Sequence, residues 1–279
     1  MQTIRKAVIT AAGRDQRSLM AQGFIDRDGR SRSALGILLG EAADAGCKDV
    51  AVVVAPGDET AGREAAGDAG VEVRMLVQEE PRGYGHAVLA ARGFVDDEPF
   101  LHMVGDHLWV SGNEAGCARQ VVDMAARHGC AVSGVQSTHE RDLPNFGAVA
   151  GPLEPGGERL YRIERIEEKP TPTLAEQVLS VPGLRAGRYL CFFGLHVLTP
   201  AVFSFLDEGL SQTKGAGKLA LSPALQQLAE RERYLAFEVD GRRYDLGERY
   251  GVLTAQLALA LAGGDREEIL VKLVELLAD

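Results

Sequence analysis

The chain has 279 residues, 46% of them hydrophobic, with a formal net charge of -10. That length suits one α/β unit with appendages, and the acidic balance excludes a nucleic-acid scaffold as a first expectation, because phosphate backbones attract basic faces. No apolar run reaches the roughly 18 residues of a membrane span, so no membrane partner is expected. The first residues run into a strand pattern without the design of a secretory leader, which sets a cytoplasmic expectation. Cys47, Cys117, Cys130 and Cys191 lack metal-ligand spacing and read as reduced structural thiols.

In chain order, residues 6–10 (Lys-Ala-Val-Ile-Thr) read as a buried parallel strand. Ala11, Ala12 and Gly13 follow as a small-residue turn able to face backbone N–H groups toward a nucleotide. Arg14 and Arg17 come next, and Asp15 and Gln16 stand where a dinucleotide fingerprint needs glycines, which disfavours a Rossmann dehydrogenase. The apolar spacing then predicts a helix over 34–45 closed by Gly46, a strand over 50–54, a helix over 59–69 and a strand over 71–77. A helix over 86–92 and a buried strand over 100–104 continue the alternation. The fold class it predicts is α/β, a doubly wound Rossmann-like mixed sheet whose sites lie beyond the carboxyl ends of strands.

Residues 78–88 (Gln-Glu-Glu-Pro-Arg-Gly-Tyr-Gly-His-Ala-Val) join the third of these strands to a helix. Gly83 and Gly85 admit a close backbone approach to a ligand, and the Gln78 amide, donor and acceptor together, suits a nucleobase edge. An ordinary strand-to-helix turn explains the same residues. Asp106, just past a buried strand, is a candidate ligand for a hard cation such as Mg²⁺ or, equally, a cap. Asp245, in Tyr244-Asp245-Leu246-Gly247, offers a second carboxylate or an N-cap to a helical segment over 248–262.

A helix over 115–128 and a strand over 131–136 precede a change of character. Residues of about 140–250 are turn-rich and predict a small β-rich lobe within a domain spanning 1–263, with strands over 146–149, 160–167 and 190–197 and a helix opening at Pro200. Glu168 and Lys169 are suited to sugar hydroxyls and phosphate, or are simply solvated. Residues 214–218 (Lys-Gly-Ala-Gly-Lys) form a basic loop or a plain linker. The segment 264–279 repeats apolar residues on one helical face and could pack on this chain or in a homo-oligomer.

Taken together, Ala11-Ala12-Gly13, Gln78 with Gly83-Tyr84-Gly85-His86-Ala87-Val88, Gly105-Asp106, Phe146-Gly147-Ala148-Val149, Glu168-Lys169-Pro170, Gly187-Arg188-Tyr189 and Tyr244-Asp245-Leu246-Gly247 resemble the bacterial UTP:glucose-1-phosphate uridylyltransferase family. The resemblance covers nearly the whole chain and implies the nucleotide-diphospho-sugar transferase type of sheet. It implies that UTP and glucose 1-phosphate become UDP-glucose and pyrophosphate with Mg²⁺ as cofactor. Arg17, Asp106 and Lys169 would be catalytic, while Ala11, Ala12, Gly13, Arg14, Gln78, Gly83 and His86 would bind the nucleotide. Gly147, Glu168, Lys169 and Arg188 would bind the sugar phosphate, and Asp106 and Asp245 would hold the metal.

The chain departs from that pattern on the triphosphate side. Gly13-Arg14-Asp15-Gln16-Arg17 stands for Gly-x-Gly-Thr-Arg, Arg32-Ser33 for Lys-Pro, and Leu219-Ala220-Leu221 for Ile-Gln-Leu. The segment 18–25 is also shorter and has no lysine, so Arg14, Arg17 or Arg32 would have to replace the family's phosphate lysine. Two alternatives follow: a catalytically weakened homologue that binds UDP-glucose or sugar phosphate as a sensor or partner subunit, and an enzyme for another pair such as dTTP and a sugar phosphate.

Overall fold

In the computed structural model, which describes residues 3–156, 159–213 and 217–278, the first apolar run becomes the middle of a sheet. Every residue of β1 (Lys6–Ala11) after Lys6 is buried, as a strand covered on both faces requires. A short helix α1 (Gln16–Ala21) and a ribbon of β2 (Gly23–Ile25) with β3 (Ser31–Ser33) lead into α2 (Ala34–Asp44). Ser33 caps α2, its hydroxyl accepting the Gly36 N–H at 2.8 Å. The alternation continues through β4 (Asp49–Val54), α3 (Glu59–Ala66), β5 (Glu72–Val77), α4 (Tyr84–Leu89), α5 (Arg92–Val95) and β6 (Phe100–Val104).

The second half is less regular. β7 (His107–Ser111), α6 (Cys117–His128) and β8 (Ala131–His139) come first; Gly129, left-handed at φ 63, ends α6. After a 3-10 turn, Glu140–Asn145, come β9 (Gly147–Ala150), β10 (Leu160–Arg162), β11 (Arg165–Glu168) and α7 (Pro172–Val178). β12 (Arg188–Leu198), α8 (Ala201–Gln212), α9 (Ser222–Arg231), β13 (Tyr234–Glu238), β14 (Gly241–Asp245), α10 (Gly251–Ala262) and α11 (Arg266–Ala278) complete the chain.

The main sheet has the order β10-β13-β8-β12-β6-β1-β4-β5, with β9 and β11 joined to it beside β12. β1, β4, β5 and β6 are mutually parallel, so the loops after all four open at one edge. β12 enters antiparallel between β6 and β8. Each face of the sheet packs its own apolar core, one centred on α2 and α6 and the other on α4, α8 and α9.

Three expectations are corrected. The run over 160–167 is two strands: β10 pairs with β13 and β11 with β9, the chain breaking between them to serve separate neighbours. β12 and β13 belong to the central sheet, so only part of 140–250 stands outside it. Tyr244 and Asp245 end a strand, β14, that pairs antiparallel with β7. Lys214, Gly215 and Ala216 of the basic loop lie outside the described residues.

Candidate active site

The edge where the four parallel strands end gathers the nucleotide-loop candidates around Asp106. The Gly105 N–H donates to the Thr10 carbonyl at 2.9 Å, which ties the start of the Asp106 turn to the end of β1. Both Asp106 carboxylate oxygens are occupied: Oδ1 pairs with His107 Nδ1 at 2.7 Å and Oδ2 accepts from Gln16 Nε2 at 2.8 Å. Burial by itself would raise this carboxyl, but the donors His107 and Gln16 outweigh it and hold Asp106 below the ordinary carboxylate range. Asp245 lies opposite His107 in the β7–β14 pair, and the Leu246 N–H donates to the Asp106 carbonyl at 2.8 Å. The carboxylates from the middle and the far end of the chain thus come from adjacent backbones.

Along the same edge, Gln78 follows β5 and is buried, 4% exposed. Its Nε2 donates to the Gly83 carbonyl at 3.0 Å and lies 3.0 Å from His86 Nδ1, which fixes the loop that opens α4. The glycines of this loop serve a purpose in addition to the expected ligand approach. Gly83 has φ 98, and a Cβ there would lie 2.7 Å from the Leu219 carbonyl; one on Gly85 would lie 2.8 Å from that of Ala220. The segment 219–220 is hydrogen-bonded across them, Leu219 N–H to Arg82 and Gly85 N–H to Leu219. Both glycines therefore make room for the chain's own backbone.

The sugar-side candidates meet at the end of β11. Glu168 opposes Gly147 in the β11–β9 pair, and its Oε2 accepts the Ser222 hydroxyl at the start of α9. A Cβ on Gly147 would lie 3.2 Å from Glu168 Oε2 and 2.9 Å from the Phe192 ring, so glycine seats both groups. Lys169 sits at φ 48, an uncommon left-handed conformation for a residue with a side chain. It is exposed and has no ion-pair partner among the described residues. Arg188 does not join this group: it lies four residues before Phe192, roughly 13 Å along the strand, and donates to the Ser137 carbonyl at 3.2 Å.

A match to the nucleotidyl transferase family model spans residues 30–260, most of the chain. The UTP–glucose-1-phosphate uridylyltransferase of Bacillus subtilis (strain 168) is 30% identical over an alignment covering 99% of this chain and 97% of that protein. The chain belongs to the nucleotidyl transferase family. A second relative, UTP–glucose-1-phosphate uridylyltransferase 2 of Staphylococcus saprophyticus, is 29% identical over 99% of this chain and 98% of its own. Among solved structures, a UDP-glucose pyrophosphorylase complexed with UDP-glucose superposes with a TM-score of 0.74 at 22% identity, covering 92% of this chain and 98% of that one. A UTP-bound UGPase from Acinetobacter baumannii gives 0.73 at 21% identity, covering 98% and 99%. These likenesses establish the mixed α/β fold, and the family generally uses a divalent metal.

Within this nucleotidyl transferase, the three arginines expected to replace a phosphate lysine are placed differently. Arg32 pairs with Asp26 at 3.0 Å and lines a cavity of about 580 Å³ among Glu41, Trp109 and Asn113, away from the Asp106 edge. Arg17 reaches Asp58 at 3.4 Å, and Arg14 is exposed with no partner among the described residues. No helix is long and apolar enough to cross a membrane among the described residues.

Two features were not anticipated from sequence. Arg243 is half-buried with its guanidinium 3.4 Å from the Phe146 ring centre, and it donates to the Phe192 carbonyl and, at 3.2 Å, to Thr138. Desolvation lowers it to about 10, and nearby Cys191 and Asp245 oppose that shift. The second is a buried polar row with one side chain from each of five adjacent strands. Thr10 Oγ1 lies 3.2 Å from His102 Nε2, His102 stacks on His196 at 5.6 Å, and His196 Nδ1 lies 2.5 Å from Ser133 Oγ, which meets the Tyr234 hydroxyl. Tyr84, with 39% of its surface exposed, sends its hydroxyl inward to His102 Nε2 at 3.5 Å. Alternation of histidine or serine with apolar neighbours along each strand was the only sequence signal for this row.

Proposed function

We propose that this nucleotidyl transferase makes UDP-glucose and pyrophosphate from UTP and glucose 1-phosphate. The observation that most supports it is the meeting of the β6–β7 turn and the end of β14, which brings Asp106 and Asp245 onto adjacent backbones, with the 13–17 loop bonded to Asp106 through Gln16 and Gln78 on the same edge of the sheet. The full-length likeness to named uridylyltransferases supports the choice of substrates. An oxygen of the sugar phosphate attacks the α-phosphorus of UTP, and the bond to the bridging oxygen breaks in line as pyrophosphate leaves. Positioning and charge neutralisation are the protein's part in such a transfer.

Asp106 and Asp245 offer hard oxygen donors, and no group of three or more His, Cys, Asp or Glu side chains is placed to hold an ion among the described residues. Such a pair fits Mg²⁺, which is commonly held by one or two carboxylates together with substrate phosphates. When bound, the ion would neutralise phosphate charge as it builds up. The chain's own residues supply the rest. Ala11, Ala12 and Gly13 present backbone to the nucleotide, and Arg14 and Arg17 meet its phosphates, Arg17 after leaving Asp58. Gln78, Gly83 and His86 form the wall for uracil. Gly147 and Glu168 take the hexose hydroxyls, and Lys169 takes its phosphate as a point charge.

The direct test is pyrophosphate release by the purified chain with UTP, Mg²⁺ and glucose 1-phosphate, beside dTTP and other sugar phosphates. Turnover that prefers UTP and glucose 1-phosphate is the expected result. The occupied carboxylate of Asp106 and the altered 13–17 loop favour a second reading, a binding protein of low turnover, and tight UDP-glucose binding without turnover would select it. We also propose that α11 contacts a second copy, since none of its residues is buried and Val271, Val274, Leu276 and Leu277 are exposed.

A further inference from the structure

The side chain of Gln16 sits on the carboxylate that the proposed function offers to a cation. Its Nε2 donates to Asp106 Oδ2 at 2.8 Å while His107 holds Oδ1 at 2.7 Å, so neither carboxylate oxygen is free of a protein donor. The arm lies flat between two glycines: a Cβ on Gly13 would come 3.0 Å from Gln16 Cγ, and one on Gly105 would come 3.1 Å from Gln16 Oε1. That same Oε1 is buried without a hydrogen-bond partner. A buried amide oxygen left unpaired opposes the arrangement, and a donation to a carboxylate favours it. Gln16 is also the first residue of α1, whose N-cap Asp15 makes no side-chain capping bond.

A divalent ion that takes the lone pair of Asp106 Oδ2 on which the amide N–H lies must displace that donor, since the two bring the same sign of charge to it. Releasing the arm also frees Oε1 to reach water. We propose that Gln16 is a positioning residue that latches Asp106 against free cations and yields when a nucleotide brings the cation in, so that the two add to the site together. The inference rests on the reading of Asp106 as a cation ligand. It assigns a role to a residue that the substrate-binding scheme leaves unused.

The test titrates Mn²⁺ into the nucleotide-free full chain and follows the free ion by electron paramagnetic resonance. Gln16→Met keeps the arm's bulk and removes the donor, and Gln16→Ala removes both. Each is expected to bind Mn²⁺ at least tenfold more tightly than the unaltered chain, about 1.4 kcal/mol, with the difference shrinking once UTP is added. Unchanged or weaker Mn²⁺ binding by a folded variant overturns the latch, and a merely structural role for Gln16 would give that result. Thermal melts identify a folded variant; if the alanine variant does not fold, the methionine variant decides. Adding Asp106→Asn to Gln16→Met should remove the gain. If the double variant still binds tightly, the ion sits elsewhere, and Asp106 loses its place as a ligand together with the latch.

Discussion

The buried histidine row makes acid sensitivity calculable. Burial lowers His196 from an ordinary value of 6.5 to about 3, and it lowers His102 well below the same value with the facing His196 adding to the effect. A histidine whose value is depressed by folding contributes no penalty above 6.5, where folded and unfolded chains are both neutral. As the pH falls, the unfolded chain takes up the proton and the folded chain does not, so stability is lost from pH 6.5 down to about 3 for His196. Each unit is worth about 1.4 kcal/mol, so His196 accounts for about 2 kcal/mol between pH 7 and 5 and about 5 kcal/mol in all. His102 adds to the loss in the same direction.

Urea unfolding at half-unit steps from pH 7 to pH 5 measures this. His196→Asn keeps a polar atom for Ser133 and removes the titration. It should be less stable at pH 7, by about 2 kcal/mol for the smaller side chain, yet lose about 2 kcal/mol less than the unaltered chain on going to pH 5. Asp106, held below the ordinary range, and Glu41, raised mainly by burial, titrate in both proteins and cancel in the difference. Parallel stability curves for the two proteins would refute the argument, since His196 would then be free to protonate in the fold.

The remaining predictions concern the site and its supports. Gly83→Ala adds a Cβ 2.7 Å from the Leu219 carbonyl at a backbone of φ 98, ψ 178. It should cost about 3 kcal/mol in urea unfolding and expose the 217–220 segment to proteolysis. Arg243→Met leaves the Phe192 carbonyl without its guanidinium donor and should cost about 1–3 kcal/mol by thermal unfolding, with a raised KM for the sugar phosphate. Lys169→Ala should raise the glucose 1-phosphate KM roughly tenfold, the loss of one charge-assisted contact, while the UTP KM in the same steady-state assay stays near its original value. Removing residues 264–279 should abolish any self-association seen by light scattering and leave the secondary structure of the remaining chain intact by circular dichroism.

Much of the first half was legible because its signals are local. The apolar runs of β1, β4 and β6 and the helical spacing of α2 each follow from side-chain period over a few residues. The order of Gln78, Asp106, Glu168 with Lys169 and Asp245 was also readable, and with it the family. What a residue faces across the sheet was not readable. Gly83 and Gly85 read as ligand-facing positions, and nothing near them in the chain shows that the backbone at Leu219 and Ala220, remote in sequence, also requires glycine there. Arg32 looked available for phosphate and is instead tied to Asp26.

The sequence by itself determined the strand-helix alternation, the likeness to the nucleotidyl transferases and the identities of the carboxylates. Tertiary structure alone decided that β12 would enter antiparallel beside β6, that β7 and β14 would bring Asp245 to Asp106, and that Thr10, His102, His196, Ser133 and Tyr234 would fall into one row. The physical reason is that periodicity is written along a few neighbouring residues, whereas strand partnership depends on which distant segments bury one another's faces and satisfy one another's hydrogen bonds. Gln16 is the sharpest case: nothing adjacent to it in the chain indicates that its amide would close on Asp106.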